Sequence, residues 1–201
     1  MNEWLQRLRG GQVSEYAKDA LIAHPQTSHN QLFVIESGRA RICLLGGARE
    51  QTLTYLEAGS LFVTHTPTWI EALEPTRIRS WPLRDLRALI EAQPDIAIIA
   101  LREVGQLMAA TLELVEDLAF HSVESRLARY LLRSAALPDS SLQLQDSMEI
   151  LASRLGTSRQ TLSTLLNRMI RDGLIERTGR RAFRICRIET LQALADDLSA
   201  G

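Results

Sequence analysis

Residues 95–121 constrain this chain more than any other stretch. Apolar Leu101, Val104, Met108, Val115 and Leu118, with Thr111 between them, recur at three-four spacing, the seam of a coiled coil. A helix of about 27 residues extends about 40 Å, longer than a small domain needs for its own core. A narrow seam on so long a helix is best satisfied by a second copy of itself, which predicts a two-fold homodimer. Packing of the seam against the chain's own upstream domain is the alternative.

Upstream, residues 11–83 carry short strand-like runs separated by turn signals: LFVIE (32–36), RARICLL (39–45), EQTLTYL (50–56), LFVT (61–64), WIEAL (69–73) and RIRSWPL (77–83). Glycine turns at such close, regular spacing predict an antiparallel β roll or barrel. Arg39 and Arg41 alternate with Ala40 and Ile42, the period of a half-buried strand. LRDLRALIEAQPDI then reads as a short helix stopped near Pro94, because proline disfavours helix at the residue before it. After His121 and Ser122, VESRLARYLLRSA reads as a further helix ending at Leu137 and Pro138. The expected class is α+β, divided into a β-roll sensor domain (1–93), a dimerisation helix (94–121) and a C-terminal domain (122–201).

No apolar run approaches the ~18 residues of a membrane span, and the start lacks a secretory h-region, so a cytoplasmic protein with no membrane partner is expected. Cys43 and Cys186 form no CxxC or Cys/His cluster, which makes a disulfide framework unexpected. Cys43, within a strand, reads as a buried inert thiol. The chain carries a net charge of −1, but residues 147–187 hold nine arginines against three acids, an excess of six positive charges. Positive charge gathered in one module suits a phosphate backbone; a solvated basic face is the bland alternative.

That module is legible in detail. Asp146 with Glu149 three positions later forms a capping-box-like start for MEILASRL, and Gly156 supplies the turn. Ser158 can cap a second helix, RQTLSTLLNRMIRD, ending at Gly173. Ile150, Leu151, Leu155, Leu162, Leu165, Leu166 and Met169 form one shared core. Arg159, Gln160, Ser163, Thr164 and Asn167 face outward. LIER-TGRR-AFRI makes a hairpin with Arg180 and Arg181 at its tip. Together these make a winged helix-turn-helix, whose second helix enters the major groove of double-stranded DNA. Arg159 can bond guanine O6 and N7, and Gln160 adenine N6 and N7. Ser158, Ser163 and Thr164 can meet bases or phosphate, while Arg168, Arg180 and Arg181 are expected to position without sequence preference. Two copies predict a palindromic operator with half-sites about 34 Å apart.

A β roll, a long helix and a winged helix-turn-helix, in that order, resemble the Crp/Fnr family of transcription regulators. The run GTSRQTLSTLLNRMIRDGLIERTGR matches the family's recognition-helix pattern at Gly156, Ser158, Arg159 and Thr161. Gln160 and Thr164 depart from the Glu and Arg of many members, which alters the expected half-site. If the protein is an activator, RNA polymerase is an implied partner. GSLFVTHTPTWIEALEPTRI lacks the Gly-Glu and Arg-Ser pairs of a cyclic-phosphate cassette, so a cyclic nucleotide is not expected as effector.

Within that family, Tyr55, Leu56, Gly59, Phe62, His65, Thr66, Ile70, Ala72 and Glu74 fall on the pattern of the CooA-type haem-based carbon monoxide sensors. A histidine on a loop beside apolar strands can supply an imidazole to iron, although ordinary turn chemistry serves such a residue equally. The resemblance implies that His65 ligates the iron of haem b. It implies a distal wall of Ala100, Leu101, Val104, Gly105 and Met108, with Gly105 allowing close approach. Thr64, Thr66 or a backbone carbonyl could orient the second ring nitrogen. Val63 stands where that group carries a thiolate-supplying cysteine, so redox-linked ligand exchange is not expected, and neither is a second ligand from an N-terminal proline. The sixth position is open, or belongs to His24, His29 or Met108; otherwise these histidines and His121 read as solvent or hinge residues, and Trp69 as core. The expected function is a sequence-specific regulator responsive to carbon monoxide or another diatomic gas. The alternative is a haem-free regulator that senses a small organic effector or binds DNA constitutively. No Ser/His/Asp grouping, metal cluster or P-loop suggests an enzyme.

Overall fold

The computed structural model describes residues 10–26, 30–47, 49–64, 66–136 and 140–197. The chain forms two compact units, residues 1–112 and 113–201, and the divide falls inside its longest helix.

The first unit is built from eight strands: β1 (Gln12–Tyr16), β2 (Leu21–Ala23), β3 (Gln31–Ser37), β4 (Ala40–Gly46), β5 (Arg49–Leu56), β6 (Leu61–Val63), β7 (Trp69–Ala72) and β8 (Thr76–Pro82). They make two antiparallel four-stranded sheets, ordered β1-β8-β3-β6 and β2-β7-β4-β5. In the first, Phe33 lies opposite both Phe62 and Ser80; in the second, Ile42 lies opposite Ile70 and Thr54. The unbroken apolar run of β3 has a direct cause, since both of its faces are covered. Phe33 and Ile35 enter a core with Ile42, Leu56, Ile70 and Ile78. Leu32 and Val34 point the other way, onto Leu61, Trp81, Leu89 and Ile96.

The sequence reading began its strands at residue 32 and missed β1 and β2. Both are short and pair with partners far along the chain: Gln12 with Ser80, and Leu21 with Glu71. A 3-10 turn (Leu83–Asp85) and α1 (Leu86–Ala92) follow the roll, and then comes α2 (Asp95–Phe120). Ile96 and Ile99 of α2 are buried, and Ala100 and Leu107 pack against the roll's two apolar clusters.

The second unit comprises the end of α2, α3 (Val123–Ser134), β9 (Ser141–Gln143), α4 (Met148–Arg154), α5 (Arg159–Arg171), β10 (Ile175–Arg177), β11 (Ala182–Ile185) and α6 (Ile188–Ala195). Leu137 and Pro138, expected to end α3, lie outside the described residues. β11 pairs with β10 on one side and β9 on the other, so the wing is a three-stranded sheet and not a lone hairpin. Leu127, Leu131, Leu151, Leu162, Leu166, Met169, Phe183 and Leu191 form one core. Neither β9 nor α6 is assigned in the sequence reading.

Candidate nucleic-acid interface and effector face

The recognition segment forms by local rules. Ser147, and not Asp146, caps α4: its hydroxyl accepts from the Ile150 N–H at 3.3 Å. Asp146 is instead buried at the foot of the wing, where its carbonyl accepts from Arg181 Nη1 at 3.3 Å. Gly156 takes φ +64°, a conformation an L side chain resists, and the Thr157 N–H returns to the Ala152 carbonyl at 2.9 Å. Ser158 then caps α5 as expected, accepting from the Thr161 N–H at 3.0 Å and sharing a hydrogen bond with the Thr161 hydroxyl. At the far end Gly173, at φ +70°, lets the Leu174 N–H reach the Met169 carbonyl.

α5 buries Leu162, Leu166 and Met169 and exposes Arg159, Gln160, Ser163, Thr164 and Asn167, as the sequence predicts. Leu165 and Ile150, expected in the core, are only half-buried. The exposed polar groups are not equally free. Arg159 Nη1 lies 2.9 Å from Glu149 Oε1. The Thr164 hydroxyl donates back to the Gln160 carbonyl at 3.0 Å, so it can only accept from an incoming group. Arg168 is half-buried and ion-paired with Glu124 of α3, which makes it an internal tether before it is a phosphate contact. Arg180 stands exposed beyond β10, and Arg181, also exposed, is anchored through Asp146.

Where α2 meets α3, the structure assembles a polar cluster that sequence reasoning missed. Arg126 is buried, and its Nη1 donates to the carbonyls of His121 at 2.7 Å and Asp117 at 3.2 Å, at the end of α2. Its Nε donates to the Leu155 carbonyl, at the end of α4, at 3.0 Å. One guanidinium thus joins two helix C-termini, where unpaired carbonyls concentrate partial negative charge. Burial holds this arginine below its ordinary pKa, with the Asp117 charge opposing. His121, expected at solvent or as a hinge, is buried. Its Nε2 faces Arg129, and its Nδ1 lies 3.1 Å from the Ser125 hydroxyl and 3.3 Å from the Asp197 carbonyl. The available signal was Arg126 itself, a charged residue directly beside Leu127 and four positions before Tyr130 on an otherwise apolar helix face.

In the first unit, His65 and His29 lie outside the described residues. The Thr66 N–H donates to the Thr64 carbonyl at 2.9 Å, and the Thr66 and Thr68 hydroxyls share a 2.6 Å hydrogen bond. Thr64 extends the β3–β6 ladder, its N–H donating to the Gln31 carbonyl and its hydroxyl accepting from the Gln31 N–H, both at 3.0 Å. His24 Nδ1 accepts from the Gln26 N–H, and its ring lies 5.7 Å from that of Trp69, which is half-buried where a core residue was expected.

Of the predicted distal wall, Ala100 packs against the roll. Leu101, Val104 and Met108 are 75%, 63% and 62% exposed, and Gly105 lies on the same open side. A Cβ added at Gly105 would meet nothing within 4 Å. No packing demand among the described residues therefore explains a glycine in mid-helix, which costs about 1 kcal/mol relative to alanine.

Arg41, which alternates in sequence with Ala40 and Ile42, is buried as they are. Its Nε donates to Glu71 at 2.9 Å, and its Nη1 pairs with Glu50. Burial lowers its pKa, but the two carboxylates more than reverse that. Cys43, also buried, has its thiol pushed by burial up to about 11, although Arg41 pulls the other way; Cys186 is exposed, and both cysteines are free.

Comparison with known proteins resolves the family. Residues 125–194 match the Crp-like helix-turn-helix domain, and residues 13–93 match the cyclic nucleotide-binding domain. The chain is similar to a CooA double mutant from Carboxydothermus hydrogenoformans, with 30% identity, 97% of this chain and 91% of that chain covered, and a TM-score of 0.84. It is also similar to the reduced (FeII) CO-sensing protein from R. rubrum, with 31% identity, 93% and 91% coverage and a TM-score of 0.56. The cAMP-activated global transcriptional regulator CRP of Pasteurella multocida (strain Pm70) is 24% identical over 84% of this chain and 87% of its own length. The chain belongs to the Crp/Fnr family of transcription regulators.

As a Crp/Fnr-type DNA-binding regulator it exposes the polar face of its second helix as the sequence predicts, within the segment 147–187 where positive charge is in excess. Among the described residues of this Crp/Fnr member's roll, the buried Arg41 guanidinium is ion-paired with Glu50 and Glu71. No helix among the described residues is long and apolar enough to cross a membrane.

Proposed function

We propose that this regulator acts as a homodimer that reads a palindromic duplex operator and responds to carbon monoxide or another diatomic gas through haem b. The observation that carries this reading is the open apolar face of α2. Leu101, Val104, Met108 and Leu112 are each more than 60% exposed, and Val115 and Leu118 follow at the same spacing. Exposed apolar residues in a continuous row mark an interface, and their three-four spacing fits an identical helix. Gly105 interrupts the row with open space where a flat group or a second backbone could approach.

The open apolar wall suits a flat group such as haem. His65 would supply the proximal imidazole, while Leu101, Val104, Gly105 and Met108 would form an apolar wall with few donors to compete for a bound gas. The similarity to the CO-dependent transcription factor CooA of Carboxydothermus hydrogenoformans and to the CO-sensing protein of R. rubrum supports the assignment. Haem iron would supply a coordination position for the gas; the chain would set the imidazole, the wall and the exclusion of water. A dimer moved from 1:99 to 99:1 active needs about 5.5 kcal/mol of differential effector affinity. On the DNA side, Arg159 and Gln160 would read base edges, with Ser163 and Thr164 beside them, while Ser158 holds the helix start and Arg180 and Arg181 meet phosphates. An activator among such regulators would also meet RNA polymerase.

The match of residues 13–93 to the cyclic nucleotide-binding domain favours a second reading, a haem-free regulator with a small organic effector or constitutive DNA binding. An absorption spectrum of protein expressed with haem decides between them. A Soret band is expected that shifts with carbon monoxide on reduction and is lost or altered in His65→Ala. Absence of the band, or an unchanged spectrum in the variant, would sink the haem reading.

A further inference from the structure

The mate of Arg159 lies on the neighbouring helix, not on DNA. Glu149 sits in the first turn of α4, and its Oε1 is 2.9 Å from Arg159 Nη1, with both side chains more than half exposed. The carboxylate is itself fixed. The N–H of its own residue and the Ser147 hydroxyl hold it below its ordinary pKa, burial opposes, and Arg159 adds to the lowering. Ser147 is in turn the α4 cap, bonded to the Ile150 N–H, so the whole arrangement is anchored in backbone.

We infer that Glu149 is a specificity-determining positioning residue: it holds the Arg159 guanidinium for base-edge contact and cancels its pull toward phosphate. This rests on the reading of Arg159 as a groove contact. Two physical effects support it. An exposed arginine loses rotamer freedom when it docks, and a standing partner removes part of that loss beforehand. The pair engages Nη1 and leaves the Nη2 side of the fork for guanine O6 and N7. The second effect is repulsive. A fixed carboxylate beside the arginine weakens attraction to any phosphate, whereas the directional contact to guanine survives, so wrong sequences lose more than the right one. Selectivity comes from lowered background as much as from added affinity.

The test uses the full chain with and without haem and carbon monoxide. A duplex is first selected from a random pool. That duplex and a scrambled one of the same composition are then titrated between ~50 and ~200 mM salt. Glu149→Gln should bind the scrambled duplex about two- to fivefold more tightly, the range expected for an exposed pair, while the selected duplex changes much less. The salt slope on scrambled DNA should steepen by about 0.9, as one freed arginine finds a phosphate. Glu149→Asp, which keeps the charge but is too short for the 2.9 Å contact, should lose guanine preference without the full gain in background binding. In an Arg159→Ala background, Glu149→Gln should lose most of its effect. An equal effect of Glu149→Gln on both duplexes, or an effect independent of Arg159, overturns the inference. Failure of the unaltered protein to enrich any sequence instead overturns the base-reading role, and scrambled-duplex titration still decides whether Glu149 restrains Arg159.

Discussion

The two ends of α2 are held by different forces. Its first half is fixed by apolar packing, with Ile96 and Ile99 buried and Ala100 and Leu107 against the roll. Its last turns are held by polar groups: Arg129 and Arg133 pair with Asp117, while Arg126 donates to the Asp117 and His121 carbonyls. Apolar contact is non-directional and falls off smoothly with displacement. Hydrogen bonds to buried carbonyls are directional, and leaving one unmade costs about 1–3 kcal/mol. A helix gripped this way can yield gradually at one end and only in discrete steps at the other.

The largest expected break comes at the polar end. Arg126→Ala leaves the His121 and Leu155 carbonyls without this donor, while the Asp117 carbonyl keeps the His121 N–H. The second unit should lose about 3 kcal/mol in urea unfolding, and Arg126→Lys should recover only part, because an ammonium lacks the planar fork. If Arg126→Ala costs less than ~1 kcal/mol, the polar cluster is not what fixes that end. Next, Val104→Glu with Met108→Glu places two charges on the open face. Sedimentation should then show monomers and operator affinity should fall about a hundredfold or more, with the roll's own melting unchanged. A dimer that survives both charges removes the proposed interface. The smallest effect belongs to the packed face: Leu107→Ala, half-buried, should cost about 2 kcal/mol of the first unit and leave the second untouched. Equal losses in both units would show that the two ends are gripped as one.

What could be read from the residues follows the range of the forces involved. α2, α5, the Ser158 cap and the two turn glycines are set by neighbours three or four residues away, and they stand where periodicity and capping place them. The α4 cap was misplaced by one residue because Asp146 and Ser147 are both competent caps and residue type alone does not rank them; Ser147 takes the Ile150 N–H while Asp146 is buried. β1, β2 and β9 depend on distant partners and carry too few residues for a period to show. Arg41 alternates as an outward residue should, but register brings Glu50 and Glu71 across it, and no local pattern announces that. α6 is a different kind of miss, since Ile188, Leu191, Leu194 and Ala195 already carry helical spacing.

The two thiols have a practical consequence. Cys43 is buried with its thiol pushed up to about 11, while Cys186 is exposed in the DNA-reading unit. At neutral pH a maleimide dye or spin label should therefore attach once per chain and only at Cys186, with no cysteine engineered or removed. In a two-fold assembly those labels form a symmetric pair, one on each recognition unit. Their separation, recorded before and after an effector is added, would turn an unaltered natural residue into a ruler for the switch.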